Sequence, residues 1–511
     1  MKNIIRNLLV FVVLISAGCA TLKPAPPTQD VYSMPPATYG VLSMVTSAFA
    51  KDHSHDECGF LLLSSSAEAY KWRLAIVDQA TQSIDAQYFI WQDDETGVLL
   101  FERLLRAADR GVRVRLLVDD MVFAPDDLSV TALTLHPNID IKIFNPGNVR
   151  ESVVFSGIDF LFNLKELNRR MHNKLFIVDN HIAIVGGRNI GNEYFGLGKK
   201  YNFRDLDVLV VGPVLPALSN AFDDYWNAEL AYPGSAMSDK ASIEEMESIR
   251  KRDEEYLAQK ADVLSSYFLK PRDWEEKFRQ LPNKLLAGKA YFIQDKPVSI
   301  GDEEHRLLDM LNYIATPSRK EIVIVSPYLI PTENLLKKIE ELLSYGVKVS
   351  IITPSMGANN HTAAHSHYKK YRRKILEIGV SLFEMKHDLP AEIRKFSDVP
   401  PVESKFTCLH VKAMVADRER CFVGSLNLDP RAIELNTENG LYIESPDLCS
   451  QLADQFDTLM SPKNAWHVYL DKDNQIKWES SSGTVASQPA RHFWQRFSDF
   501  FFRLLPIESQ I

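Results

Sequence analysis

His172-Asn173-Lys174-Leu175-Phe176-Ile177-Val178-Asp179 and, 238 positions later, His410-Val411-Lys412-Ala413-Met414-Val415-Ala416-Asp417 are two copies of one pattern, H-x-K-x4-D. The first runs on to Gly186-Gly187-Arg188-Asn189 and the second to Gly424-Ser425-Leu426-Asn427. Two copies of one supersecondary unit imply two domains built on one plan. Working outward, Ser83 to Ile90 and then Gly111 to Val118 precede the first copy, and Glu321 to Ile330 and then Gly346 to Ile352 precede the second. Matching Tyr88 to Tyr328 gives an offset of 240, and Gly111 to Gly346 gives 235. From about Thr38 to Val214, and again from about Ala290 to Met460, amphipathic helical stretches alternate with short apolar runs, the pattern of an α/β layer structure.

Within each copy, Leu175 to Val178 and Ala413 to Ala416 read as strands. On a strand, positions two apart share a face, so His172 should point with Lys174 and His410 with Lys412. Asp179 and Asp417 fall at the following turns, where they are expected to hold turns or salt bridges rather than to move protons. The return strands end at Gly186 and Gly424, where glycine would let the backbone approach a ligand. Asn189 and Asn427 supply amide donors. If the halves pack about a pseudo-twofold axis, two His, two Lys and two Asn meet at one point. That set suits a phosphodiester without a metal: lysines and amides bind nonbridging oxygens, one histidine attacks phosphorus, and the other protonates the leaving alkoxide.

Composition bounds the reading less tightly. The chain has 511 residues, 24% of them charged and a net charge of −9, which suits a globular protein of two or three domains and gives no global attraction to nucleic acid. At the N-terminus Lys2 and Arg6 precede the apolar run Leu8 to Ile15 and Ser16-Ala17-Gly18-Cys19, which has the form of a lipoprotein signal with Cys19 as the lipidated residue. A Pro-rich tether follows, from Pro24 to Pro36. Four further cysteines, Cys58, Cys408, Cys421 and Cys449, are not expected to form a structural disulfide; the hairpin around Asp417 sets Cys421 opposite residues near Ala416, away from Cys408. His361, His365 and His367 beside Lys369, Lys370, Arg372 and Arg373 read as a substrate-facing basic segment rather than a metal site, and His53, His55 and Cys58 likewise suggest no metal. From Ala490 to Leu505, aromatic residues recur at helical spacing with Arg491, Arg496 and Arg503 between them, fitting either a membrane-interface helix or a helix docked on its own domain.

These residues resemble the phospholipase D superfamily, whose double H-x-K-x4-D motif they match. More narrowly, Gly424 to Arg431 with Asn436-Thr437-Glu438, Arg170 to Lys174, Phe203 to Asp207, His365 with Tyr368 and Tyr371-Arg372, and Leu505 to Glu508 resemble bacterial cardiolipin synthases of the C type. The resemblance implies an α/β fold of two phospholipase D-like α/β/α domains that form a pseudo-twofold internal dimer, with the active site between them. It implies that the catalytic motif comprises His172, Lys174, Asp179, His410, Lys412 and Asp417. Within it His172 would be the nucleophile and His410 the acid/base, an assignment open to reversal. Asn189, Ser425 and Asn427 would bind the substrate phosphate, and Asp205 and Glu438 would orient the histidines. Gly187 departs from the family's common serine.

The expected division is a signal peptide over 1–18, a tether over 19–37, domains at 38–229 and 290–460 joined by a charged helical connector at 230–289, and a tail at 461–511 with an amphipathic helix. The expected activity is phosphatidyl transfer yielding cardiolipin, with phosphatidylglycerol as acceptor and phosphatidylglycerol or phosphatidylethanolamine as donor. No cofactor, no metal and no nucleic-acid partner are expected. The rivals are a hydrolytic phospholipase D or exported nuclease of the same superfamily, and a non-catalytic lipid-binding lipoprotein. The expected location is a bacterial cell envelope, anchored by lipid on the periplasmic side, with the outer membrane as one option.

Overall fold

The computed structural model describes residues 22, 24–123, 125–147, 169–297 and 306–504. The signal-like segment with Cys19 and the closing Leu505 to Glu508 lie outside the described residues. No described helix is long and apolar enough to cross a membrane.

Twenty strands are described: β1 (Cys58–Leu63), β2 (Ser83–Trp91), β3 (Arg113–Phe123), β4 (Ile139–Phe144), β5 (Leu175–Val178), β6 (Ile182–Gly186), β7 (Tyr201–Arg204), β8 (Asp207–Val211), β9 (Ala231–Pro233), β10 (Leu286–Gln294), β11 (Glu321–Val325), β12 (Lys348–Pro354), β13 (Ser381–Met385), β14 (Phe406–Leu409), β15 (Ala413–Ala416), β16 (Arg420–Gly424), β17 (Asn439–Glu444), β18 (Ala465–Leu470), β19 (Ile476–Ser480) and β20 (Gly483–Val485). Eighteen form one continuous sheet. The first half runs β9-β4-β3-β2-β5-β6-β8-β1, with β2, β3 and β4 parallel and the other neighbours antiparallel. The second half mirrors it as β10-β17-β16-β15-β11-β12-β13-β18-β19-β20, with β11, β12 and β13 parallel. The halves join where β1 pairs antiparallel with β10, Gly59 opposite Ala287.

The sheet is mixed because helices cover it. Strands β5, β6 and β8 are buried along their whole length, so they read as continuous apolar runs rather than as alternating ones. The covering helices start and stop on local chemistry. Asp94 caps helix Glu95–Asp109 by accepting from the Thr96 and Gly97 amides, and Thr332 caps Glu333–Ser344 through the Leu335 amide. Both helices are followed by a glycine in the left-handed region, Gly111 at φ 92° and Gly346 at φ 81°, which turns the chain into β3 and β12. One apolar core lies in each half. A third, with Phe60, Leu175 and Val208 from the first half and Val325, Val423 and Leu441 from the second, is shared between them.

Registers correct the sequence alignment in one place. Gln87 faces Leu175 as Val325 faces Ala413, and the bridge Trp91 to Ile190 repeats as Leu329 to Leu428. The offset is therefore 238 through this strand, so Tyr88 corresponds to Ser326 and Ile90 to Tyr328. A two-residue slip keeps the same face of a strand, so the apolar pattern does not reveal it. The Gly111 to Gly346 match holds in register, since Arg113 faces Ser83 as Lys348 faces Glu321.

The segment between the halves folds back on the first. Helix Ile243–Gln259 places Arg250 on Asp109, Lys260 salt-bridges Glu95, and Trp274 and Phe278 pack edge-on against Trp72. The tail, read from sequence as carrying only a helix, also supplies β18, β19 and β20, which extend the second half-sheet beyond β13. Cys58, Cys408, Cys421 and Cys449 are buried as free thiols, with Cys421 opposite Val415.

Candidate active site

The residues leading into each motif histidine pair with the other half. Strand β14, which leads into His410, pairs parallel with β7, which leads into Asp205, and the His410 amide donates to the Arg204 carbonyl at 2.9 Å. The other copy is stitched the same way: the His172 amide donates to Thr437 O and the Thr437 amide to Arg170 O, both at 2.9 Å. Thus each histidine is fixed by backbone to the residue that precedes the other half's carboxylate.

The carboxylates exchange accordingly. His410 Nδ1 lies 2.7 Å from Asp205 Oδ2, and His172 Nδ1 lies 2.9 and 2.8 Å from the two oxygens of Glu438. The family resemblance named Asp205 and Glu438 together, and the ladders place them at equivalent positions, since Gly186 faces Asp207 as Gly424 faces Gly440. It gave no sign that each would serve the histidine of the opposite half.

His172, Lys174, His410 and Lys412 are all buried, and the charges of the two lysines and of His410 are felt at His172. The histidine and lysine do not sit on the strand proper, which begins at Leu175 and at Ala413. Each lysine instead curls back to its own histidine's carbonyl, Lys174 Nζ to His172 O at 2.5 Å and Lys412 Nζ to His410 O at 2.7 Å. Lys412 Nζ also lies 3.0 and 3.1 Å from the two ring nitrogens of His410.

Burial sets the protonation of this cluster. It lowers Lys174 to about 7, with Lys412 adding to the effect, and lowers Lys412 itself to about 8. His410 falls to about 4 through burial and the Lys412 charge, against the opposing pull of Asp205. Burial and then Lys174 and Lys412 hold His172 well below the usual imidazole value. Burial also pushes Asp205 up, but His410, Lys412 and Arg188 together outweigh it and the carboxyl lies below its ordinary value. Glu438 is driven well above the carboxylate range by burial, which Lys174 and Ser425 do not offset. Burial thus disfavours charge on both members of the His172–Glu438 pair, whereas the cations around Asp205 favour its charge.

The remaining expected residues fall in three groups. Asp179 and Asp417 lie at the far ends of their strands, at φ 53° and 55°. Asp179 accepts from the Thr81, Gln82 and Ser83 amides, and Asp417 from those of Arg319, Lys320 and Glu321. Both anchor the start of the neighbouring strand, as a turn-holding residue would. Asn189 Oδ1 accepts from the Ile90 amide and its Nδ2 donates to the Tyr194 hydroxyl; Asn427 Oδ1 is buried with no partner among the described residues. The Ser425 hydroxyl donates to Glu438 Oε2 and accepts from the Asn439 amide at 2.9 Å, so it braces the carboxyl.

That brace explains Gly187. A Cβ there would stand 2.4 Å from Asp205 Oδ1. One copy holds its carboxyl with a longer Glu and a Ser, and the other uses a shorter Asp and a Gly. Gly186 and Gly424 are likewise corrected: a Cβ at Gly186 would meet Asp207 Cα at 2.5 Å and one at Gly424 would meet Asn439 O at 2.3 Å. Their glycines admit a neighbouring strand, not a ligand.

The His361 to Arg373 segment is not a substrate-facing basic face. Arg372 is buried 2.8 Å from Glu384, Lys369 and His365 both reach Asp499, and Lys374 pairs with Glu333. Lys369, Arg372 and Lys374 thus each pair with a carboxylate of the second half or its tail. Among the described residues no cluster of His, Cys, Asp or Glu is arranged to hold a metal. Four residues not picked from sequence wall the histidines: Phe89 lies edge-on to His172 at 4.9 Å, and Tyr194, Phe203 and Tyr328 surround His410 at 5.4, 4.6 and 6.4 Å. Asp119 sits behind His172, accepting from the Met171 amide at 2.9 Å and pairing with Arg170.

Comparison with known proteins agrees with this geometry. The family described as "Cardiolipin synthase, PLD-like domain" matches residues 74–226 and 310–460. The chain is 33% identical over 464 residues to cardiolipin synthase C of Escherichia coli (strain K12), covering 88% of this chain and 96% of that protein. It is 27% identical over 414 residues to a cardiolipin synthase of Staphylococcus aureus (strain Mu50), covering 80% of this chain and 69% of that one. Among solved structures, phosphatidylserine synthase of Haemophilus influenzae Rd KW20 shares the fold with a TM-score of 0.53 at 18% identity, over 81% of this chain and 90% of that one.

Proposed function

The chain belongs to the phospholipase D superfamily through two cardiolipin synthase, PLD-like domains, and from that premise we propose that this phosphatidyltransferase is a cardiolipin synthase of the C type, acting through a phosphohistidine. The observation that carries the reading is the crossed pair of dyads, His172 with Glu438 and His410 with Asp205, each assembled from both halves. Domains at 38–229 and 290–460, joined by a connector at 230–289, act as a pseudo-twofold internal dimer around this single site. Neither half alone holds a complete dyad.

His172 is the nucleophile. Glu438 occupies its Nδ1, whereas Lys412 engages both ring nitrogens of His410. Attack by His172 Nε2 on a phosphatidyl phosphorus forms an N–P bond and expels the headgroup alkoxide. The imidazole then carries positive charge, with its Nδ1–H held on the Glu438 carboxyl. His410, fed by the Lys412 ammonium, gives the alkoxide its proton; it then takes a proton from the glycerol hydroxyl of phosphatidylglycerol, whose oxygen displaces His172 to give cardiolipin. Lys174, Lys412 and Asn427 hold the nonbridging oxygens, where negative charge grows in the transition state. Asn189 supports that end of the site through Ile90 and Tyr194. The donor is phosphatidylglycerol or phosphatidylethanolamine, and lipidated Cys19 tethers the enzyme at the envelope membrane where both lipids lie.

The test is to incubate membrane-embedded protein and its His410→Ala variant with labelled phosphatidylglycerol, with and without phosphatidylethanolamine, and to separate the lipids. Cardiolipin formed only by the intact protein is expected. Phosphatidic acid as sole product would make the enzyme a hydrolase, and cardiolipin formed equally by the variant would overturn the assignment.

A further inference from the structure

Helix Phe493–Arg503 is built inside out. Its buried residues are Gln495 and Asp499, whereas Phe493, Trp494 and Leu504 are 70%, 68% and 65% exposed, and Phe497, Phe500 and Phe501 each remain more than half exposed. An amphipathic helix docked on its own domain normally buries its apolar stripe. Here the polar stripe makes the contacts. Asp499 joins His365 Nδ1 at 2.9 Å and Lys369 Nζ at 2.6 Å, Gln495 Nε2 donates to Met356 O at 2.5 Å, and His492 caps the first turn through the Gln495 amide. These polar bonds fix which way the helix faces, so the outward aromatic face is a consequence of the sequence.

We propose that this face inserts into the interface of a lipid bilayer containing anionic phospholipid and holds the active site against the membrane. Six large apolar side chains in one outward patch have the make-up of an interfacial helix, with Trp and Phe on one side. Arg496 and Arg503 are exposed beside them and complement an anionic headgroup layer. The helix is also bound to the wall of the site. The guanidinium of Arg491, just before it, stacks 3.6 Å over Phe406, the first residue of the strand that leads into His410, and it donates to Gly357 O. Residues 356–361 then lead to Ala358, whose carbonyl accepts the Leu409 amide, and to His361 against Tyr328. A bilayer bound to the aromatic face thus lies at a fixed position relative to His410. The helix is a second membrane contact, independent of any lipid at Cys19, and the inference does not require the transfer chemistry to be right.

The test uses the full chain with vesicles of phosphatidylglycerol and phosphatidylethanolamine whose acyl chains carry bromine, a quencher of indole emission at close range. Brominated vesicles are expected to quench part of the tryptophan emission, and Trp494→Phe is expected to abolish that part. Phe497→Ser with Phe501→Ser, both on the solvent side and so without effect on folding, is expected to weaken the Trp494 quenching by at least about half. The readout needs no turnover, so an inactive enzyme with quenched Trp494 would still support the docking while removing the proposed reaction. Equal quenching of the chain and its Trp494→Phe variant would overturn the proposal. So would Trp494 emission that shifts with protein concentration before vesicles are added, which would put a second copy of the chain on this face.

Discussion

Binding of a tetrahedral anion at the paired lysines should draw protons from solution, and the amount follows from the structure. Burial lowers Lys174 to about 7 and Lys412 to about 8. At pH 8 about one tenth of Lys174 and about half of Lys412 then carry a charge. A bound anion opposes the burial effect and restores both ammonium groups, so sulfate binding at pH 8 is expected to take up more than one proton per site. At pH 7 Lys174 is about half charged and Lys412 largely so, which leaves roughly half a proton to be taken up. Sulfate is the right probe because it does not itself titrate in this range. The assay is calorimetric titration of the protein with sulfate in buffers of different ionisation enthalpy, from which the proton number is read as a slope. Uptake that rises from pH 7 to pH 8 marks the lysines, because a histidine origin would make it fall over the same interval. Lys412→Met is expected to bring the pH 8 value below one. Uptake near zero at pH 8, with sulfate bound, would show that both lysines are already charged in the empty site and would refute the reasoning.

Three further predictions follow from particular contacts. Gly187→Ser places its Cβ where Asp205 Oδ1 now lies, and must lengthen the 2.7 Å bond to His410; lipid turnover is expected to drop about 10- to 100-fold, and adding Asp205→Glu, which reproduces the pairing of Ser425 with Glu438, is expected to recover part of it. Arg115 is fully buried, 2.6 Å from Asp85 and 2.8 Å from Asp223, and donates to Val31 O. Arg115→Met leaves two buried carboxylates unpaired and is expected to remove about 3–5 kcal/mol, read as a lower denaturant midpoint and faster proteolysis near Val31. His410 titrates near 4 in the fold, against about 6.5 when unfolded, so the native state binds fewer protons in that window. Stability should therefore fall as pH drops from about 6.5 to about 4, by roughly 3 kcal/mol from this residue, and His410→Gln should flatten that part of the profile.

Much of the site was legible because its residues repeat. The 238-residue spacing of His172 and His410 marked two units, and the family resemblance pointed to Asp205 and Glu438 as their carboxylates. What the repeat could not show is which half a side chain reaches into. The exchange of Asp205 and Glu438 depends on β7 pairing with β14 and on the Met171 to Thr437 bridge, contacts between residues about 200 positions or more apart with no local signature. The bond from Ser425 to Glu438 was hidden for a related reason, since a hydroxyl near a phosphate site suits either a ligand or a neighbouring carboxyl until Glu438 is placed. The basic run from Lys369 to Arg373 misled because its partners lie on other elements, Glu384 on β13 and Asp499 on the C-terminal helix. The two readings of the C-terminal helix, docked or membrane-facing, proved compatible: its polar face docks, and its aromatic face stays outside.

The account's central claim is that one site built from both halves transfers a phosphatidyl group through His172. The most direct measurement is to react the protein with phosphatidylglycerol labelled at phosphorus, quench in alkali to preserve a nitrogen–phosphorus bond, and map the labelled peptide. Label on the peptide containing His172, absent from His172→Ala and retained longer in His410→Ala, is the predicted result. Label on the His410 peptide, or continued cardiolipin formation by His172→Ala, would contradict it.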